Sequence, residues 1–214
     1  SMSRVHHRPL LGHVMQFLSG RLHELTGNQA AFVCNTFYLA DYQLPTPMLR
    51  GIAEQVLGDL KTGVLDIHAL NGFLKALTTR RFLDITYMDK LAEELMSDFY
   101  IGRLNQQLCM RVIGFWATKR MSHPALFQSI ISLYEPRDYV RSKDLVWLFS
   151  HCLQVQYPLP EVYVQELLNR IRSDLLYRKN PEGLVEALVA FVIAKVYPTD
   201  LLDIALGPNF QSLC

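Results

Sequence analysis

The sequence is poor in the features that mark an enzyme, a secreted scaffold or a membrane protein. Its four cysteines, Cys34, Cys109, Cys152 and Cys214, form no C-x-x-C pair. That excludes a small disulfide framework and a cysteine-rich zinc site, and it fits a reducing compartment. Neither sign of charge dominates: 21 Lys and Arg face 20 Asp and Glu, for a formal net charge of +1. A uniformly basic nucleic-acid module is therefore excluded, although a local basic stripe is not. No apolar run approaches the roughly 18 residues needed to cross a bilayer. The longest, residues 184–196, is interrupted by Glu186 and Lys195 and reads as a buried helix. The N-terminus carries no secretory-leader pattern. Ser1-Met2 reads as a cloning remnant, and the pattern starts and stops abruptly, so a fragment of a longer protein is expected.

Catalytic signatures are missing as well. There is no G-x-x-x-x-G-K-[ST], no G-x-G-x-x-G after a strand and no G-x-S-x-G. His23-Glu24 opens like H-E-x-x-H, but Gly27 stands where the second ligand belongs. The spacing of His6, His7 and His13 does not gather them on one face with a carboxylate, so they read as surface or packing histidines. His151-Cys152 could suggest a nucleophile pair, yet Cys152 falls on a repeating core position and reads as a packed thiol. No catalytic residue, metal ligand or cofactor site is expected.

What the sequence does have is a period. Break residues Leu44, Phe82, Met121, Tyr157 and Tyr197 recur every 36 to 40 residues, the interval of helical-hairpin repeats. Other positions keep step with them. Twelve residues before each break stand Phe32, Leu70, Cys109, Leu145 and Val185; eight before stand Thr36, Leu74, Ile113, Phe149 and Val189. Five before come Leu39, Leu77, Trp116, Cys152 and Val192, and five after come Leu49, Tyr87, Leu126, Val162 and Leu202. All but Thr36 are apolar or aromatic, so these positions are expected to form the core. In the last unit, Val185, Leu188, Val189 and Val192 are expected to form the buried face.

The pattern predicts helices over 28–42, 46–60, 66–80, 86–100, 104–119, 123–134, 142–156, 160–177, 181–196 and 199–206, preceded by a helix from Pro9 through Leu25. Proline and glycine mark the breaks, and no strand-like alternation competes. The expected fold is all-α: a right-handed-type α-solenoid of about five antiparallel helical hairpins, with residues 1–214 forming one repeat domain.

The residues just before each break form the candidate site. Gln43, Arg80, Arg81, Lys119, Arg120, Gln156 and Lys195 would line one edge of such an array. A row of cations and amides about 10 Å apart could follow the backbone of a single-stranded RNA. Helix-end capping alone also favours Lys and Arg there. Further basic residues, Arg137, Arg141, Lys143, Arg170, Arg172, Arg178 and Lys179, read as solvated loop charges. Tyr100, Tyr134, Tyr139 and Tyr177, near helix ends, either stack on bases or close helix pairs.

The closing phrase Leu184-Val185 … Leu188 … Phe191 … Tyr197-Pro198-x-Asp200-Leu201-Leu202 … Pro208-x-Phe210 resembles the helical repeats of FAST-kinase-like proteins. The resemblance implies an array that precedes a RAP domain, acts on RNA in mitochondria, and works beside other RNA-processing proteins. It does not imply kinase chemistry here, because no phosphate-binding or catalytic-loop motif is present. The expected function is a non-catalytic RNA-binding module supporting RNA processing or stability, with no small-molecule substrate and no membrane. A HEAT- or armadillo-like protein–protein scaffold is the alternative, and the near-neutral charge favours it.

Overall fold

The computed structural model describes residues 8–79, 82–133, 142–173 and 181–211, and every regular element among them is a helix. In chain order these are α1 (Arg8–Ser19), a 3-10 turn (Leu22–Glu24), α2 (Gly27–Leu39), α3 (Thr46–Lys61), α4 (Ile67–Thr79), α5 (Ile85–Leu95) and α6 (Asp98–Ile101). They continue with α7 (Gln106–Thr118), α8 (Pro124–Leu133), α9 (Ser142–Gln154), α10 (Glu161–Ser173), α11 (Pro181–Ile193), α12 (Thr199–Leu206) and α13 (Pro208–Gln211). The chain falls into two compact units, residues 1–115 and 116–214.

Each unit is packed as stacked helix pairs. In the first, α2 packs against its partner α3 and against α4, the first helix of the next pair, while α3 packs on α5. In the second, α9 packs on its partner α10 and on the next first helix, α11, which in turn packs on α12. Such nearest-neighbour packing is how a helical repeat buries faces that no single pair can bury.

Local chemistry explains the helix starts. Thr26 and Gln29 form a capping box at α2, Asp84 caps α5 through the Tyr87 amide, and Asn105 caps α7 through the Leu108 amide. The Asp66 carboxylate accepts from the amides of His68 and Ala69 at the start of α4. Each such cap satisfies amides that have no partner within the helix.

Gly27 and Asn28 do more than punctuate. A Cβ on Gly27 would stand 2.6 Å from the Gln55 carbonyl oxygen, so α2 and α3 meet backbone to backbone. Asn28 staples the α3–α4 connection to α2: its side-chain amide donates to the Val64 carbonyl at 3.0 Å and its Oδ1 accepts from the Asp66 amide at 2.8 Å.

The middle pairs bury the expected core. Leu70, Leu74, Leu77, Cys109, Ile113, Trp116, Leu145, Phe149 and Cys152 are all buried. Phe73, Phe115 and Phe127 are fully buried beside them, each contributing about 1.5–3 kcal/mol of apolar burial. The first and last pairs depart from expectation. Phe32 is 70% exposed and Val189 55%, and Leu39, Val185, Val192 and Tyr197 are exposed too; outside these pairs, Val162 at the start of α10 is exposed as well.

The reason is register. The hydrogen bonds that close α2 and α11 are made by the Tyr42 and Val196 amides, two residues before the break residue Leu44 and one before Tyr197. Counting twelve, eight and five residues back from those two ends reaches Ala30, Cys34 and Phe37, and Leu184, Leu188 and Phe191, all of them buried. In α11 the buried face is thus Leu184, Ala187, Leu188 and Phe191, with Leu188 alone correctly placed among the expected four.

Two further boundaries differ. The helix expected over 86–100 breaks after Leu95, and Tyr100 then turns inward, its hydroxyl donating to the Leu65 carbonyl. The opening helix stops at Ser19 instead of running on to Leu25.

Burial pushes the Cys109 and Cys152 thiols up to about 12, and Cys34 is buried within α2. These three should resist iodoacetamide at pH 8 in the native protein and label only on denaturation, as mass spectrometry of the alkylated peptides would show.

Candidate functional site

The first helices of four pairs close in the same way. At the end of α2, the Tyr42 amide donates back to the Phe37 carbonyl and the Asp41 amide to the Tyr38 carbonyl. At α7 the pairs are Met121 to Trp116 and Arg120 to Ala117; at α9, Tyr157 to Cys152 and Gln156 to Leu153; at α11, Val196 to Phe191 and Lys195 to Val192. This is the Schellman arrangement, which requires one residue in the left-handed region. Those residues are Asp41, Arg120, Gln156 and Lys195, with φ of 52°, 55°, 55° and 60°. Glycine is the usual occupant because it carries no Cβ. Here a charged or amide side chain occupies each one, against the steric preference of the backbone.

The expected row is thereby sorted. Arg120, Gln156 and Lys195 hold equivalent left-handed corners, and all three are exposed. Gln43 is exposed but lies two residues beyond its corner, whose equivalent residue is Asp41, an anion. Lys119 precedes the corner and is only half-buried, and burial lowers its ammonium below the ordinary lysine range. Arg80 and Arg81 lie outside the described residues, as do Arg137, Arg141, Arg178, Lys179, Tyr134, Tyr139 and Tyr177. Arg170 pairs with Glu166 at 2.6 Å and Arg172 makes a two-pronged contact with Asp200, at 2.8 and 3.0 Å. Both are tied to carboxylates of the fold. Lys143 is exposed. Tyr100 is buried and closes helix packing rather than offering a stacking face.

Within the second unit, the corners of α9 and α11 are neighbours. Leu153 and Tyr157 share one cleft of about 370 Å³ with Ala194 and Val196. Gln156 adjoins Tyr157 in the chain, Lys195 lies between Ala194 and Val196, and both are exposed. The second helices α8, α10 and α12 begin within six residues of the corners that precede them, which brings their positive dipole ends to the same edge.

A second surface runs along the helix faces. Trp147, 45% exposed and edge-on to His151 at 5.9 Å, lines a groove of about 450 Å³ with Val185, Val189 and Ile193. Periodicity could not single out this face, because α11 is apolar on every side except at Glu182 and Glu186. Among the described residues no group of His, Cys, Asp and Glu could hold a metal ion, and no helix is long and apolar enough to cross a membrane.

The corner residues give a test of signs. Gln156→Gly and Lys195→Gly should each stabilise the fold by roughly 0.5–1 kcal/mol, the left-handed cost less the extra freedom of an unfolded glycine. Thermal melting should show each midpoint rising; a fall would mean that the side chain supports the fold itself.

The stacked pairs and their shared corner define an all-α helical-repeat protein. Among known proteins, the chain is 24% identical over 186 residues to "FAST kinase domain-containing protein 5, mitochondrial" of Pongo abelii, which covers 85% of this chain and 24% of the relative. The same protein of Macaca fascicularis is 24% identical and that of Homo sapiens 22% identical, with the same coverage. The chain thus spans about a quarter of the length of these relatives. No family model and no solved structure matches it.

Proposed function

We propose that this chain is the helical-repeat region of a mitochondrial FAST-kinase-like protein that holds single-stranded RNA along its helix corners. It has no catalysis of its own and supports RNA processing or stability carried out elsewhere. The observation that carries this reading is the recurrence of Arg120, Gln156 and Lys195 at left-handed corners where the backbone prefers glycine. A backbone held against its preference at equivalent sites points to a use for the side chain. The relatives' names, which read mitochondrial, support that setting.

The test is RNA affinity against salt. Each phosphate neutralised adds about −0.7 to the slope of log affinity against log salt on a single strand. Arg120→Ala/Lys195→Ala should therefore flatten the slope by about 1.4 and weaken binding at low salt, with the melting curve preserved. Equal slopes in the two proteins would make the corners purely structural.

A second reading, a protein–protein scaffold, is favoured by the exposed apolar face of Trp147, Val185, Val189 and Ile193. Exposed apolar patches with an aromatic anchor mark partner surfaces. It replaces the first if single-stranded RNA fails to bind even at low salt.

A further inference from the structure

The cleft at the α9 and α11 corners has more structure than phosphate contact requires. Its walls are apolar: Leu153, Tyr157 and Leu159 on one side, Ala194 and Val196 on the other. Tyr157 is fixed in place from outside the cleft, its ring 5.3 Å from that of Phe127 and its hydroxyl bonded to Gln128 Oε1 at 3.0 Å. Two polar side chains also line the space. Glu161 and Gln165 stand one turn apart on α10 and are both exposed. Exposed Gln156 and Lys195 are the chain neighbours of the lining residues Tyr157, Ala194 and Val196.

An apolar slot with a few converging polar groups takes a flat, largely apolar ligand with a polar edge. A cation at the mouth suits a phosphate attached to that ligand. We infer that this cleft receives one base of a single-stranded RNA, and that Glu161 selects a base carrying an amino group. The inference rests on the RNA reading above. An ionised carboxylate only accepts hydrogen bonds, so Glu161 can accept from the amino group of cytosine, whereas uracil presents a carbonyl oxygen at the same place. Gln165 both donates and accepts, so it satisfies the remaining edge without choosing. Lys195, exposed between the lining residues Ala194 and Val196, meets the phosphate of the same nucleotide.

The experiment uses the 214-residue chain and two 12-nucleotide probes, oligo(C) and oligo(U), which differ at each base only in that edge. Oligo(C) should bind about tenfold more tightly, the effect of one hydrogen bond to a charged group. Glu161→Gln should abolish the preference. Ala194→Leu, which fills the cleft without changing charge, should bring oligo(C) down to the oligo(U) level and leave the salt slope as in the wild type. Circular dichroism melts verify that both variants fold, and Glu161→Gln, at an exposed first-turn position, serves if Ala194→Leu does not. Equal binding of the two probes, with Arg120→Ala/Lys195→Ala still flattening the slope, would overturn base selection and leave the RNA reading standing. An oligo(C) preference that survives Glu161→Gln would also overturn it. No binding of either probe at low salt would overturn both.

Discussion

Replacing Trp116 with alanine should destabilise the protein by about 3–5 kcal/mol, the range for truncating a large buried aromatic residue. The indole is 1% exposed near the end of α7, and its own carbonyl closes the helix by accepting from the Lys119 and Met121 amides. Loss of the ring removes apolar burial and leaves a cavity in a densely packed interior, and both effects add. For a chain of this size each kcal/mol moves the midpoint by about 2–4 °C, so thermal melting should fall by about 10 °C. The other tryptophan supplies the control. Trp147 is 45% exposed on the groove face, and Trp147→Ala should change stability little. Equal midpoint shifts for the two variants would contradict the placement of both rings.

A similar contrast separates two glycines. Gly27→Ala should cost about 3 kcal/mol, the upper end for overpacking, because the new Cβ meets helix backbone that cannot swing aside. The nearest atoms are the Gln55 carbonyl oxygen and the Asp59 Cβ, both at 2.6 Å, so α2 must lift away from α3. Lifting α2 also loosens the Asn28 staple to Val64 and Asp66. Gly58, inside α3, has open space around it, and Gly58→Ala should stabilise by about 1 kcal/mol through helix propensity alone. Urea unfolding of the two variants should therefore give midpoints displaced in opposite directions. A neutral Gly27→Ala would mean that the two helices do not meet at that point.

These cases show where the sequence was readable. Helix starts were, because proline, glycine and capping residues act locally: the predicted 46–60, 181–196 and 199–206 lie within three residues of α3, α11 and α12. The core of the middle pairs was readable because α4 has a single strongly apolar face, with Leu70, Leu74 and Leu77 on it. In α2 and α11 it was not. α2 mixes polar and apolar residues without a marked apolar face and α11 is apolar nearly all round, so periodicity could not choose a face, and aligning on Leu44 and Tyr197 displaced the register by two residues and by one. The close approach at Gly27 was hidden for another reason: which helix lies against a glycine is decided by tertiary packing. The candidate edge was half legible. Lys and Arg near helix ends could be seen, but the left-handed backbone that makes Arg120, Gln156 and Lys195 equivalent, and that puts Asp41 rather than Gln43 in their company, is a matter of φ.

The steric cost of the left-handed turn is paid at Cβ and is almost indifferent to what lies beyond it, β-branched residues excepted. Asp41 and Lys195 occupy the same conformation with opposite charge, and the closing bonds at both ends of the protein have the same pattern. The corner works as an interchangeable socket: its electrical character can be rewritten one repeat at a time while the interior stays untouched.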